Sequence, residues 1–128
     1  IEGENPLLVW GDGSAVRDFI YCKDVARGMV FVMENDIQEP LNIGSGKGVT
    51  IKSLVETIIN QFSNEIDIKW DISKPTGDKK RILDTSKAKR MGFKLETSLE
   101  KGLAETISWY MDNKDDLIGR YNAFKSID

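Results

Sequence analysis

An α/β fold class is predicted for this chain: a small lobe of short strands and about four to five helices. Short extended runs alternate with amphipathic helical runs along the sequence. Glycine-rich turns join several of them. The extended runs are few and brief, too little for a complete doubly wound sheet. The 128 residues suit one domain, with residues 1–113 carrying the pattern and 114–128 reading as a tail or one more short helix.

Residues 6–10, Pro-Leu-Leu-Val-Trp, read as a strand running into the turn Gly-Asp-Gly-Ser at 11–14. Residues 18–21 are a second extended piece. Asp24 is placed to cap a helix to about Asn35, with Val25, Met29, Val32 and Met33 on one side. Gly28 inside that helix costs about 1 kcal/mol relative to Ala, which close packing against a sheet would offset. Residues 41–44, Leu-Asn-Ile-Gly, are a buried-strand candidate. After a glycine loop, Thr50 caps the clearest amphipathic helix, with Ile51, Leu54, Val55, Ile58, Ile59 and Phe62 on one face. Residues 66–70 alternate with period two and read as a half-buried strand. A polar loop over 73–80 leads to an extended piece at 81–84, then a short helix from Ser86 to near Gly92. Thr97 with Glu100 has the spacing of a capping box, opening a helix that carries Leu99, Leu103, Ile107 and Tyr110 to about Asn113.

Composition excludes several function classes. The chain has no histidine, which removes a Ser-His-Asp triad, a histidine zinc site and histidine acid–base catalysis. The single cysteine, Cys22, forbids an internal disulfide, so a reducing, cytoplasmic setting is expected, with Cys22 as a small buried side chain. A net charge of −3 gives no global field toward nucleic acid, and no apolar run is long enough to span a membrane. No metal-ligand cluster and no paired-carboxylate pattern stands out. The chain opens at Ile1 without a methionine, the pattern of a fragment or a processed product.

Three segments carry candidate chemistry. The glycines Gly44, Gly46 and Gly48 lie where a phosphate could rest on a helix N-terminus, with Asp67 and Asp71 about where a ribose-binding acid would stand. Their G-x-G-x-G order matches neither the dinucleotide fingerprint nor the P-loop, and a tight strand-to-helix connection explains them better. Second, Trp10 and Arg17 flank the 11–14 turn. An indole can stack on a base or sugar and a guanidinium can fork onto a phosphate. Equally, Trp10 can fill core and Arg17 can pair with Asp18 or Asp24. Third, residues 74–90 carry a local charge of +5, which suits a small anion better than a long polyanion. Helical spacing explains the cations after Asp84 as a solvated face. Lys80 and Arg81, beside a short strand, are harder to dismiss.

With these residues in view, the chain resembles the carboxy-terminal part of the extended short-chain dehydrogenase/reductase family, the NAD-dependent epimerases and dehydratases. The resemblance rests on Val-Trp-Gly-Asp-Gly-Ser-Ala-Val-Arg-Asp-Phe-Ile-Tyr at 9–21, Asp-Val-Ala-Arg-Gly at 24–28, Leu-Asn-Ile-Gly-Ser at 41–45 and Ser-Lys-Pro-Thr-Gly-Asp-Lys-Lys-Arg-Ile-Leu-Asp at 73–84. The last stretch is most like the GDP-L-fucose synthase branch, with Thr76 where that branch tends to have aspartate. The resemblance implies that the NAD or NADP site and the catalytic Tyr-x-x-x-Lys lie in an amino-terminal Rossmann domain absent from this sequence, so this chain holds no cofactor and no catalytic residue. Tyr121 with Lys125 has that spacing but lies in the unmatched tail and is read as coincidence.

The resemblance further implies a nucleotide-diphosphate sugar as ligand, a GDP sugar favoured, with Trp10 on the nucleotide and Arg17, Lys80 and Arg81 on its anionic portion. The parent enzyme would carry out NAD(P)-dependent epimerisation or reduction, the missing Rossmann domain would be this chain's partner, and dimers would form through that domain's helices. Alternatives from other classes are a stand-alone nucleotide-binding module built on the 44–48 loop and a protein-interaction domain.

Overall fold

The computed structural model describes residues 6–62 and 65–114. In chain order the elements are β1 (Leu7–Trp10), β2 (Val16–Asp18), α1 (Cys22–Glu34), β3 (Gly48–Thr50), α2 (Ile51–Ile59), β4 (Ile68–Asp71), β5 (Lys80–Arg81), α3 (Ser86–Arg90) and α4 (Leu99–Asn113). The α/β class holds, with four helices among the described residues and two small sheets. One pairs β1 with β4 in parallel, Leu7 opposite Ile68 through Trp10 opposite Asp71. The other has the order β3-β2-β5, antiparallel on the β3 side and parallel on the β5 side.

The turn between β1 and β2 locks the two sheets together. Asp12 Oδ1 accepts from the Ser14 amide at 2.9 Å and its hydroxyl at 2.7 Å, an Asx turn. Gly13 sits at φ +75°, and a Cβ there would come within 2.7 Å of the Trp70 ring, so only glycine lets Trp70 close over the turn. Helix α2 starts as its sequence demands: the Thr50 hydroxyl accepts from the Ser53 amide at 3.0 Å.

Several expectations are corrected. The second strand is β2, upstream of the anticipated 18–21 piece, because the ladder partners on β3 and β5 reach only Val16, Arg17 and Asp18. Residues 41–44 form no strand: among the described residues nothing lies beside them to complete a ladder, and a strand is a property of a pair. Gly28 accordingly packs not on a sheet but on this segment, where a Cβ would stand 2.7 Å from Ile43 Cγ2. Asp24 does not cap α1; the extended cap residue is Tyr21, without a side-chain bond. Nor does Thr97 cap α4; Ser98 does, accepting from the Lys101 amide. Cys22 is exposed, not buried, at the first position of α1. The 115–128 tail, with Tyr121 and Lys125, lies outside the described residues.

Asp24 and Thr97 meet for another purpose. The Asp24 side chain, 1% exposed, accepts from the amides of Glu96 at 3.1 Å and Thr97 at 3.0 Å and from Arg27 at 2.7 Å. This clamp holds the entry to α4 against α1. Lower in the same seam, Gly102 lets α4 approach the Tyr21 ring, whose hydroxyl donates to Glu105 at 2.9 Å. Among the described residues the buried apolar side chains are Ala15, Val55, Ala88 and Phe93, with the Phe93 ring tilted 48° to that of Phe31 of α1 at 5.5 Å between centroids. The opposite face of α1 leaves Met29, Val30 and Met33 mostly exposed.

Burial works against the Asp24 charge, but the Glu96, Arg27 and Thr97 hydrogen bonds outweigh it and hold the carboxyl below its ordinary value of 3.8. A depressed folded value stabilises fully above the unfolded value and loses that contribution as pH falls through the folded one. Asp24→Asn is therefore expected to destabilise the chain by about 2–3 kcal/mol at neutral pH and to flatten the loss of stability below about pH 4. Urea melts at pH 7 and pH 3 measure both; identical pH profiles for the two proteins would refute the clamp.

Candidate functional site

The central strand β2 sends its side chains to opposite faces, Arg17 one way and Val16 and Asp18 the other. On the second face Asp18 gathers four donors: the amides of Ser45 at 2.9 Å, Gly46 at 2.9 Å and Leu83 at 3.3 Å, and the Ser45 hydroxyl. Burial raises its pKa, but these hydrogen bonds, led by the Ser45 hydroxyl, hold the carboxyl below the usual range. One carboxylate thus ties the glycine loop and the exit from β5 to the middle strand.

The other face carries the arginines. Arg17 and Arg81 stand directly opposite each other in the parallel β2–β5 ladder, with Val16 opposite Lys80 one step back. Opposed residues in a ladder project to the same side of the sheet. Sequence analysis selected Arg17 and Arg81 from separate segments; the register makes them neighbours and turns Lys80 to the other face. Arg17 Nη1 donates to the carbonyls of Asp78 at 2.7 Å and Val16 at 2.8 Å. Neither Asp18 nor Asp24 pairs with it, since both carboxylates are engaged elsewhere. Arg81 Nε lies 3.5 Å from Asp78 Oδ2, and Arg81 is 75% exposed.

Trp10 does not fill core: it is 64% exposed at the end of β1, with the Lys74 ammonium 5.5 Å from its ring centre. Beside it, Gly11 at φ +81° lets residue Thr76 pack within 3.3 Å of where its Cβ would be. Gly77, also in the left-handed region at φ +75°, lies against the Arg17 guanidinium, 3.3 Å from its own Cβ position. The link between β4 and β5 therefore touches Trp10, Gly11, Arg17 and Arg81 in turn. Sequence reasoning missed this role. Its signals were the Pro-x-Gly within a polar run and an acid, Asp78, three residues before Arg81.

The glycine loop has no free cradle. Ser45 and Gly46 spend their amides on Asp18, and the Lys47 amide donates to the Ser45 hydroxyl at 3.1 Å. At the start of α2, Ile51 donates to the Ala15 carbonyl, Lys52 to that of Gly13 and Ser53 to Thr50. These residues do not fit a dinucleotide, whose phosphates need such amides. Tyr110 with Lys114, and not Tyr121 with Lys125 alone, has Tyr-x-x-x-Lys spacing; it sits at the end of α4, where i,i+4 residues share a face in any helix. A groove of about 730 Å³ between the starts of α1 and α4 is lined by Tyr21, Cys22, Lys47 and Leu99 among others, and touches neither arginine nor Trp10. Among the described residues there is no group of three or more His, Cys, Asp or Glu that could hold a metal, and no helix long and apolar enough to cross a membrane.

A small lobe of short sheets and helices with this order of elements is the class of carboxy-terminal part found in extended short-chain dehydrogenase/reductase enzymes. Residues 1–106 match the family described as GDP-mannose 4,6 dehydratase, and the chain belongs to that family. Among its relatives, a probable GDP-L-fucose synthase 1 of Oryza sativa subsp. japonica is 39% identical over 108 residues, covering 84% of this chain and 33% of the relative. The GDP-L-fucose synthase of Escherichia coli (strain K12) is 32% identical over 119 residues, 85% of this chain and 37% of that protein. Among solved structures, a UDP-N-acetylglucosamine 4-epimerase of Methanobrevibacter ruminantium M1 in complex with UDP-N-acetylmuramic acid superposes with a TM-score of 0.77 at 33% identity, over 88% of this chain and 36% of that one. A GDP-L-fucose synthetase of Naegleria fowleri bound to NADP gives 0.77 at 26% identity, over 84% and 35%. The chain thus spans about one third of the length of the proteins it matches.

Because Asp18 is the tie between β2, the glycine loop and Leu83, Asp18→Ala is expected to speed hydrogen exchange at the Ser45, Gly46 and Leu83 amides by an order of magnitude or more (about 1–3 kcal/mol of lost local stability). Asp24-bonded amides of Glu96 and Thr97 serve as the internal control. Unchanged protection at the three amides would remove Asp18 from this role.

Proposed function

We propose that this chain binds and orients a nucleotide-diphosphate sugar, a GDP sugar favoured, as the carboxy-terminal part of an NAD(P)-dependent nucleotide-sugar epimerase or reductase. The observation that carries the reading is the register that sets Arg17 opposite Arg81. Adjacent strands lie about 4.8 Å apart, so two guanidiniums on one face can each take one phosphate of a diphosphate, with the planar fork suited to bidentate contact. Trp10 offers an exposed ring for the nucleotide on the neighbouring sheet edge. Lys80 raises the local positive potential from the far face without direct contact.

The chain's own part in catalysis is to hold the substrate. Orientation of this kind contributes as much as about 7–11 kcal/mol to lowering a barrier. The glycine loop spends its amides within the fold, which supports assigning the NAD or NADP to another part of the enzyme. Two further observations agree. Among the described residues few apolar side chains are buried, and the outer face of α1 presents Met29, Val30 and Met33 at helical spacing. An uncovered stripe of this kind marks a surface built to be covered, and the cofactor-binding part supplies the cover.

A titration of the chain with GDP, UDP, TDP and NAD, followed at the Trp10 indole NMR signal, tests the reading. One nucleoside diphosphate is expected to shift the signal, GDP most, and Arg17→Ala is expected to weaken binding at least tenfold (about 1.5–3 kcal/mol for a charged hydrogen-bonded contact). Binding of NAD alone, sensitive to Gly46 and indifferent to Arg17, would replace this reading with the stand-alone module.

A further inference from the structure

The link between β4 and β5, residues 72–79, is folded over the residues assigned to the ligand. At one end the Lys74 ammonium covers the Trp10 ring at 5.5 Å. At the other, Asp78 engages both arginines: its main-chain carbonyl accepts from Arg17 at 2.7 Å, and its carboxylate sits 3.5 Å from Arg81 Nε. Asp78 is the one carboxylate paired with either arginine among the described residues. A carboxylate beside a guanidinium occupies the place phosphate oxygens would take, since both groups are anionic and each can offer two oxygens to the planar guanidinium fork.

We propose that Asp78 is an intramolecular stand-in for the ligand's phosphate: it holds Arg81 in the ligand-free chain, surrenders it on binding, and so sets the affinity of the site. The inference rests on the reading of Arg17 and Arg81 as a diphosphate clamp. Exposure makes the exchange feasible. Arg81 and Asp78 are 75% and 69% exposed, so their ion pair is held weakly and a divalent ligand displaces it at small cost. The tie to Arg17 survives displacement, because it runs through the main chain of residue 78 rather than its carboxylate. Gly77, at φ +75° against the Arg17 guanidinium, is what brings that main chain close. The side chain of Asp78 can therefore swing away while the link stays anchored at Arg17 and Gly11.

The test is a double-mutant cycle read by calorimetric titration of the 128-residue chain with GDP: wild type, Asp78→Asn, Arg81→Ala and the pair. Asp78→Asn is expected to bind GDP about two- to five-fold more tightly, the scale of a released surface ion pair. Arg81→Ala is expected to weaken binding, and in its background Asp78→Asn should bring no gain. A gain that survives at full size without Arg81 means plain relief of charge repulsion, and overturns the proposal. So does an Asp78→Asn protein that binds no better than wild type while Arg81→Ala still weakens binding, which leaves the clamp standing. Folded wild-type and Asp78→Asn chains that both ignore GDP and UDP overturn the clamp itself and this inference with it.

Discussion

The Asp18 carboxylate is where the sequence turns into a site. Four donors from Ser45, Gly46 and Leu83 converge on it, tying two distant segments to one carboxylate. The loop amides that end on Asp18 fix the approach to β3, and the Leu83 amide fixes the exit from β5, so both neighbours of the central strand are held in register by one side chain. Register then does the rest: with β5 pinned, Arg81 has to stand beside Arg17. The same bonds consume the amides that make glycine loops attractive as phosphate sites. The acid that builds the arginine pair also rules out the competing cradle.

A second constraint comes from what the fold leaves uncovered. A globular domain of this length ordinarily closes over a contiguous core. Here the buried apolar set is small among the described residues, and apolar side chains on β1, on the outer face of α1 and in the last turns of α4 remain exposed. Residues 41–44 have strand composition and no ladder partner. The Gly28–Ile43 contact seats residues 41–44 on the buried side of α1, while Met29, Val30 and Met33 remain on its outer face. On the proposed reading, the outer face of α1 is the surface that the cofactor-binding part would cover.

What the sequence made legible divides along the range of the interactions. Thr50 opens α2 and the helical stripe of α4 ends at Asn113 as periodicity and capping rules say, because those features are decided within a few residues. Errors fall where a distant partner decides. Asp24 has the position of a helix cap but is drawn to the Glu96 and Thr97 amides more than seventy residues along. That same pull moves the cap of α4 from Thr97 to Ser98. Arg17 and Arg81 were each visible as cations beside short strands. Their adjacency was not, because parallel pairing across sixty-four positions leaves no local mark. Asp78 was counted only as a charge, since no spacing rule says that the loop after β4 will fold over the end of β1 and onto Arg17 of β2.

Weak tethering of the arginines is itself informative. Had Arg17 and Arg81 been structural cations, the economical arrangement would bury them against fixed carboxylates, as Arg27 is set against Asp24 and Glu96. The chain shows it can build such a pair and does not build one here. Arg17 is held by main-chain carbonyls, which fix its direction without neutralising it. Arg81 is held by a long, exposed contact to a side chain that water can replace. Two cations aligned by backbone geometry and left largely uncompensated raise the local potential at a fixed place. On the proposed reading, an incoming dianion would gain that potential without first having to break a strong bond. Rigid direction with loose compensation is the combination that a binding site needs and a structural ion pair avoids.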